Sequence, residues 1–267
     1  MGAMTEEEKP IPEGTPTKGT VSGSVPDLDI TILGAAQVQD ADGDDLIVFY
    51  YEATNRSDEL NALWHYNVDA SQEGEFLEMV YVLDDVPEIS YMDLEFFPGK
   101  TLRCAAAFEY DPDDGIVGFR ISPFKGDEAV LYYADPQNLS GAPKEPYSFE
   151  AGPEILTGYE DLPGKTKNIS FEDVEFFTDK DGRKMMRYSY HTPNDSEEAG
   201  LYHYCDAYQD GVELRAFWDD ENNLNDWENM IFVNTCQLRT KSPVIIVCTE
   251  ESEDGTGPVA VNIVKLN

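Results

Sequence analysis

Two stretches of the chain share a pattern that decides the fold. Residues 40–57 read DADGDDLIVFYYEATNRS, and residues 179–196 read DKDGRKMMRYSYHTPNDS. Six of the eighteen aligned positions are identical, and they fall on an Asp-x-Asp-Gly turn, one tyrosine and Asn-x-Ser. The similarity continues through two histidine–tyrosine pairs and extends to DPDDG at 111–115 against ESEDG at 251–255. Two copies of one domain, each of roughly 100 residues, explain this better than chance.

Each stretch also carries the period of a strand. Every second residue is apolar or aromatic, which indicates a β-strand with one buried face. The residues predicted to face the two cores are Ile47, Phe49 and Tyr51 in the first copy and Met186, Tyr188 and Tyr190 in the second. The Asp-Gly pair before each strand favours a hairpin turn. Several short strands with turn signals between them predict an all-β fold of two tandem antiparallel β-sandwiches.

Composition divides the chain into four predicted segments. Residues 1–26 are rich in Pro, Gly, Thr and Glu and are predicted to be a flexible spacer. Residues 27–135 and 166–267 are the two predicted sandwich domains. Residues 136–165 carry five prolines and are predicted to link them.

The first copy resembles a known family. TILGAAQVQDADGDDLIVFYYEATNRSDELNALW (31–64) and FFPGKTLRCAAAFEYD (96–111) are similar to the telokin-like, immunoglobulin-like domain of unknown function found in lipoproteins of Firmicutes and related Gram-positive bacteria. The resemblance covers most of 28–122 and is weaker over 169–264. It implies an extracellular, immunoglobulin-like sandwich, anchored to the cell envelope by a lipidated cysteine upstream. It implies no catalytic residues.

The charge of the chain excludes several classes of partner. Its 54 acidic and 18 basic residues give a net charge of −36. Such a surface repels nucleic acid and anionic lipid. The sequence has no run of 18 apolar residues, so membrane contact is expected only through a lipid anchor.

The four cysteines show no metal-ligand spacing. Cys104, Cys205, Cys236 and Cys248 contain no CxxC pair and have no histidine at zinc-ligand spacing. Pairing among the last three stays open. Their places in predicted strands favour ordinary buried thiols.

Neither a catalytic site nor a cofactor is predicted. The chain contains no GxSxG and no HExxH motif, so it is not expected to be an enzyme. The DADGDD turn resembles a calcium loop, but its glycine is fourth rather than sixth, which favours a hairpin turn. A weak metal site formed by Asp40, Asp42 and Asp44 remains the alternative.

Binding at the cell surface is therefore the predicted function, with a protein as the leading partner. The candidate recognition loop is FWDDENNLNDWENMIF at 217–232, which carries Trp218, Asn222, Asn223 and Trp227. Tryptophan is enriched at interface hot spots. Stacking of tryptophan or tyrosine on sugars makes a carbohydrate-binding module the alternative, and an uncharacterised hydrolase the third.

A second candidate surface lies on the outward face of the first aromatic strand. Val48 and Tyr50 are apolar where the second copy has Arg187 and Ser189. Such a face is either covered within the chain, for which VLYYA at 130–134 is the predicted cover, or it contacts a partner.

Overall fold

The computed structural model describes residues 9–81, 83, 86–144, 170–191, 202–216, 225–226, 228–252 and 255–264. These residues are almost entirely in strands, turns and short 3-10 helices, which confirms the all-β prediction. The chain divides into two compact units, Met1–Tyr147 and Ser148–Asn267, called unit 1 and unit 2 below. No described helix is long and apolar enough to cross a membrane.

Unit 1 is built from two antiparallel sheets. Its strands are β1 (Val21–Val25), β2 (Leu28–Gln39), β3 (Asp45–Asn55), β4 (Tyr66–Gln72), β5 (Glu75–Phe76), β6 (Met79–Val80), β7 (Thr101–Glu109), β8 (Val117–Pro123) and β9 (Val130–Ala134). The first sheet has the order β1-β2-β3-β7-β6 and the second has β5-β4-β8-β9. The described part of unit 1 also contains three 3-10 helices: Leu63–His65 before β4, Pro87–Asp93 before β7 and Pro136–Asn138 after β9.

The described part of unit 2 repeats most of this order. Its strands are β10 (Ser170–Thr178), β11 (Lys184–His191), β12 (Tyr202–Gln209), β13 (Val212–Glu213), β14 (Ile231–Gln237), β15 (Val244–Ser252) and β16 (Gly255–Val264). The sheets have the orders β10-β11-β14 and β13-β12-β15-β16. These orders match β2-β3-β7 and β5-β4-β8-β9, strand for strand.

Alternating side chains fill both cores, as the period of the two stretches predicts. Ile47, Phe49 and Tyr51 are fully buried, and the ring of Phe49 stacks on Phe119 with centroids 4.4 Å apart. In unit 2, Met186, Tyr188 and Tyr190 belong to one buried cluster. The hydroxyl of Tyr188 donates to the carbonyl oxygen of Cys205 at 2.6 Å. Aromatic burial from two facing sheets therefore stabilises each unit.

Both Asp-Gly turns form the predicted hairpins with the same hydrogen bonds. Asp40 Oδ1 accepts from the backbone N–H groups of Asp42 and Asp44, both at 2.9 Å. Asp179 Oδ1 accepts from Asp181 at 2.9 Å and from Arg183 at 2.8 Å. The carboxylate that the metal alternative would use is therefore a structural acceptor of the turn. Among the described residues, no three metal-ligating side chains lie close enough together to hold an ion.

Two buried glutamines clamp equivalent loops. Gln72 Nε2 donates to the carbonyl oxygens of Asp111 and Gly115, at 2.8 and 3.0 Å, and its Oε1 accepts from the Asp111 N–H. Gln209 holds the segment 239–242 through the same two side-chain atoms.

This equivalence corrects the end of the sequence alignment. The turn that matches DPDDG follows β14 and lies near residues 239–243, whereas ESEDG falls where β15 ends and β16 begins, with Ser252 and Gly255 as register partners. The sequence alignment was therefore wrong at this point, because it matched the β7–β8 turn with a segment one strand too late in unit 2.

Residues 9–26 pack on unit 1, which differs from the flexible spacer predicted over 1–26. Residues 21–25 pair with β2, and Ile11 is buried against the second sheet. Low apolar content suggested disorder, but one isoleucine and several backbone hydrogen bonds to the sheet hold this segment in place.

The cysteines differ in part from the favoured prediction of ordinary buried thiols, and one of the pairings left open is formed. Cys205 and Cys248 are directly opposite each other on β12 and β15 and form a disulfide. Cys104 and Cys236 are free and buried. Burial raises the pKa of the Cys236 thiol to about 12, so this thiol stays protonated at neutral pH.

Candidate binding surface

The residues singled out by the sequence fall into two groups. Trp218, Asn222, Asn223 and Trp227 lie outside the described residues, so the predicted recognition loop stays a prediction. Val48 and Tyr50 are described, and both are buried.

Of the two alternatives predicted for Val48 and Tyr50, the structure has the face covered within the chain, and this corrects their assignment as candidate binding residues. Both pack in a cluster that includes Val86 and Ile89, at the start of the 3-10 helix Pro87–Asp93. The face is covered within the chain, but not by VLYYA. That segment is β9 of the second sheet, where Tyr132 meets Phe49 in the core with ring centroids 6.2 Å apart.

Two large aromatic side chains are exposed at one end of unit 1. Trp64 is 54% exposed in the 3-10 helix before β4, and Phe124 is 62% exposed just after β8. Tyr66 and Pro123 are register partners, so the segments carrying the two aromatics leave the second sheet side by side. Trp64, His65 and Phe124 are called the aromatic end below. Large exposed aromatics grouped at one end of a domain are typical of interaction surfaces, so this end is the candidate binding surface.

Asn55 fixes the loop that presents Trp64. Its Nδ2 donates to the carbonyl oxygens of Glu59 at 2.8 Å and Phe96 at 2.9 Å. Its Oδ1 accepts from the N–H and the hydroxyl of Ser57, at 2.9 and 2.7 Å. Both N–H donors and both acceptor sites of this buried side-chain amide are therefore hydrogen-bonded. The first Asn-x-Ser is therefore a structural turn at the end of β3.

Asn61 continues the scaffold toward the surface. Its backbone bridges to Phe96, and its Nδ2 donates to the Tyr66 hydroxyl at 3.0 Å. That hydroxyl in turn donates to the carbonyl oxygen of Pro26 at 2.8 Å. Partial burial raises the pKa of Tyr66 despite the hydrogen bond from Asn61, so the phenol remains a neutral donor. The loop before Trp64 is thus held at both ends.

The rings of Trp64 and His65 pack against each other, inclined by 50°. Their centroids are 3.8 Å apart, and His65 Nδ1 is 3.3 Å from Asn61 Oδ1. An aromatic side chain held rigidly loses little conformational entropy when a partner covers it. This is the usual property of an interface anchor.

The two ends of unit 1 differ in charge. Segments 26–29, 56–65, 95–100 and 124–129 at the aromatic end hold seven acidic and three basic residues. Segments 40–44, 73–78, 110–116 and 135–144 at the opposite end hold ten acidic residues and one basic residue. The aromatic end is therefore the less negative end, where an acidic partner meets less repulsion than at the opposite end.

Sequence reasoning did not single out this surface. Trp64 lies in the stretch that carries the family resemblance, and no sequence motif marks Phe124. Two sequence features indicate exposed positions here: Trp64 follows a polar loop, and Phe124 lies in the turn-rich segment SPFKGDE at 122–128. Only the register of β4 and β8 shows that these two positions are neighbours.

Comparison with known proteins identifies a domain but no activity. Residues 3–117 match the model of a family described as a domain of unknown function, DUF5067. A solved structure described as "a putative lipoprotein from Staphylococcus aureus subsp. aureus NCTC 8325" is similar at 17% identity and a TM-score of 0.35, covering 45% of this chain and 96% of that one. No curated protein matches the chain. The matched range includes the N-terminal segment and Trp64, so the first part of the chain is similar to a domain of unknown function, DUF5067.

Proposed function

We propose that the chain is a non-catalytic binding module of the cell envelope that engages a protein partner through the aromatic end of unit 1. The observation that carries this proposal is the exposure of Trp64 and Phe124 on a rigid scaffold. Two large aromatics in one place supply most of the apolar area that an interface hot spot needs.

The disulfide supports a location outside the cytoplasm. Cys205–Cys248 links two core strands of unit 2, and disulfides persist in oxidising environments such as the cell surface. Attachment as a lipoprotein is proposed on the resemblance of the first copy to domains of Gram-positive lipoproteins.

We also propose that the two units are copies of one immunoglobulin-like domain. The shared strand order, the matched Asp turns and the two glutamine clamps support this duplication. Tandem copies raise the effective concentration of a second contact when both face one partner.

The surroundings of His65 support binding over catalysis. Its Nδ1 lies 3.3 Å from Asn61 Oδ1, and an amide orients an imidazole ring without supplying the nucleophile that a hydrolase needs. This end of unit 1 therefore gives no support to the hypothesis that the chain is an uncharacterised hydrolase. The glycan alternative is favoured by one observation, the broad exposed indole of Trp64, which suits stacking on a sugar ring.

A cell-binding assay tests the proposal. The labelled full chain is added to Gram-positive cells and compared with the double variant Trp64→Ala/Phe124→Ala. Loss of two anchors, each worth about 2 kcal/mol, lowers affinity by at least a hundredfold. Phe176→Ala removes an aromatic of similar exposure, 48%, from unit 2 and serves as the matched control, with no change expected.

Pretreatment of the cells identifies the class of partner. Protease treatment should abolish binding and glycosidase treatment should leave it intact. The reverse result would establish the glycan alternative. Unchanged binding of the double variant would refute the role of the aromatic end.

A further inference from the structure

Residues 9–17 cross the outer face of the second sheet of unit 1 and are called the strap below. The strap has one buried side chain, Ile11, which is 3% exposed. It forms no strand of its own, and its sequence KPIPEGTPT contains three prolines and a glycine. The contacts of Ile11 show what the strap binds to.

Ile11 fits a slot made by two residues of the sheet. Ser71 on β4 and Gly118 on β8 are direct register partners. A Cβ atom on Gly118 would lie 2.9 Å from Ile11 Cγ2, so the absence of a side chain there makes room for the isoleucine. The buried hydroxyl of Ser71 accepts from the Ile11 N–H at 3.0 Å and donates to the Ile11 carbonyl oxygen at 3.1 Å. The slot therefore recognises both the side chain and the backbone of one residue.

Two further contacts align the strap on either side of Ile11. Arg120 Nη1 donates to the Lys9 carbonyl oxygen at 3.3 Å, while Asp69 holds the same guanidinium at 2.8 Å. Thr17 pairs with Tyr133 on β9, donating its N–H to the Tyr133 carbonyl oxygen at 2.8 Å. The Tyr133 N–H donates to the Thr17 hydroxyl at 2.9 Å. These are backbone contacts, as in peptide docking along a sheet.

The slot is specific to unit 1. The residues just before Gln209 and just after Val244 occupy the same register positions in unit 2, and they are Tyr208 and Ile245. Both carry large side chains, at positions where unit 1 has a serine and a glycine. A strap with a central isoleucine would clash with them, so the two units diverge at this face.

We propose that this slot is a peptide-docking site for an extended, proline-flanked segment with a branched aliphatic residue at its centre. Residues 9–17 occupy the slot of their own chain. When two copies of the chain exchange these segments, the slot of each copy holds the strap of the other. Ile11 is the one buried side chain of the strap. Gly19, with φ of 77°, forms a bend between the strap and β1. Both features favour release of the strap without disruption of the sheets.

Peptide binding to the full chain tests the proposal. The probe is a fluorescent peptide of residues 9–18, and anisotropy is measured with the wild-type chain and with Ile11→Ser. The variant releases the strap and should bind the peptide at least tenfold more tightly, because the tethered strap competes at high effective concentration in the wild type. A peptide with serine in place of its isoleucine should not bind.

Filling the slot provides the matched control. Adding Gly118→Val to Ile11→Ser should abolish binding, since valine occupies the space of the isoleucine as Ile245 does in unit 2. Peptide binding that survives Gly118→Val, or no binding to Ile11→Ser, overturns the proposal.

Hydrogen exchange on the wild-type chain gives a measurement that needs no variant. The Ile11 amide should exchange by local opening, at least tenfold faster than the amides of Val68 and Phe119 in the sheet below. Exchange of all three at one rate would show that the strap opens only on global unfolding and would overturn the proposal.

Discussion

The outer face of the first sheet differs completely between the two units, although the strands that form it match. In unit 1, Val48 and Tyr50 are buried beneath the segment around Val86 and Ile89. In unit 2, the position of Val48 is taken by Arg187, which bonds Glu175 at 3.2 Å and lies over the Phe177 ring at 5.0 Å.

The difference shows that the outward side chains of a strand are suited to the segment that connects the neighbouring strands: they are apolar where such a segment covers them and charged or polar elsewhere. Residues 73–100 join β4 to β7 and include the helix Pro87–Asp93, whereas a shorter connection, 210–230, joins β12 to β14. The same core is compatible with an apolar outer face in one unit and a charged one in the other. Four substitution experiments test this comparison of the two units, in order of decreasing expected effect.

The largest effect is expected for Val48→Glu. An unpaired carboxylate on this fully buried position should destabilise unit 1 by about 3–5 kcal/mol, since the described residues that cluster around it are apolar. Urea denaturation, followed separately for the two units, measures this. Arg187→Gln at the equivalent position of unit 2 is the control, with a loss of about 1 kcal/mol or less for a partly exposed ion pair. Equal losses would refute the covered face.

The disulfide should have the next largest effect. Val68 and Ile121 occupy the register positions in unit 1 that Cys205 and Cys248 occupy in unit 2. Cys205→Ser/Cys248→Ser should cost unit 2 about 2–4 kcal/mol. Cys205→Val/Cys248→Ile should recover part of this, because it restores an apolar pair. Thermal melting with and without reductant provides the check, and unit 1 should be unaffected by reductant.

Replacing the two clamping glutamines tests the equivalence of the units directly. Gln72→Leu and Gln209→Leu each leave buried loop groups without partners, so each should cost its unit about 1–3 kcal/mol. Denaturation of both variants should give losses that agree within about 1 kcal/mol. A loss in only one unit would contradict the proposed duplication.

The smallest effect concerns pH at the second hairpin. Partial burial raises the pKa of Asp179, but hydrogen bonds from Arg183 outweigh it and bring the pKa below the usual 3.8. Because the folded-state pKa is lowered, the stabilisation is complete above the usual pKa and is lost as pH falls through the folded value. Unit 1 has Asp44 at the position of Arg183.

NMR titration checks this last prediction. Arg183→Asp should raise the pKa of Asp179 and shift the loss of the turn to higher pH. A titration midpoint that stays in place would show that the arginine does not set it.

Local patterns predicted the parts of the fold that depend on neighbouring residues. Alternation placed Phe49 and Tyr188 in the cores, and the Asp-Gly pairs placed both hairpin turns. These signals rest on the strand period and on turn chemistry, which act within a few residues.

The misses were contacts between distant residues. The cover of Val48 comes from residues near 86, and the slot for Ile11 comes from residues 71 and 118. A buried cross-strand disulfide depends on a register that the sequence does not display. The candidate surface was missed for the same reason, since Trp64 and Phe124 are neighbours only through the β4–β8 pairing.

The strap also determines how unit 1 responds to tension. A pulling force at residue 9 meets the Lys9, Ile11 and Thr17 contacts in succession before it reaches the β1–β2 ladder. These contacts break one at a time, as in unzipping, and each break lengthens the tether by a few residues. The first sheet stays intact while this happens. If the proposed attachment to the cell envelope lies on the N-terminal side of residue 9, the strap is an extensible element that lengthens under load before the sheets of unit 1 bear it.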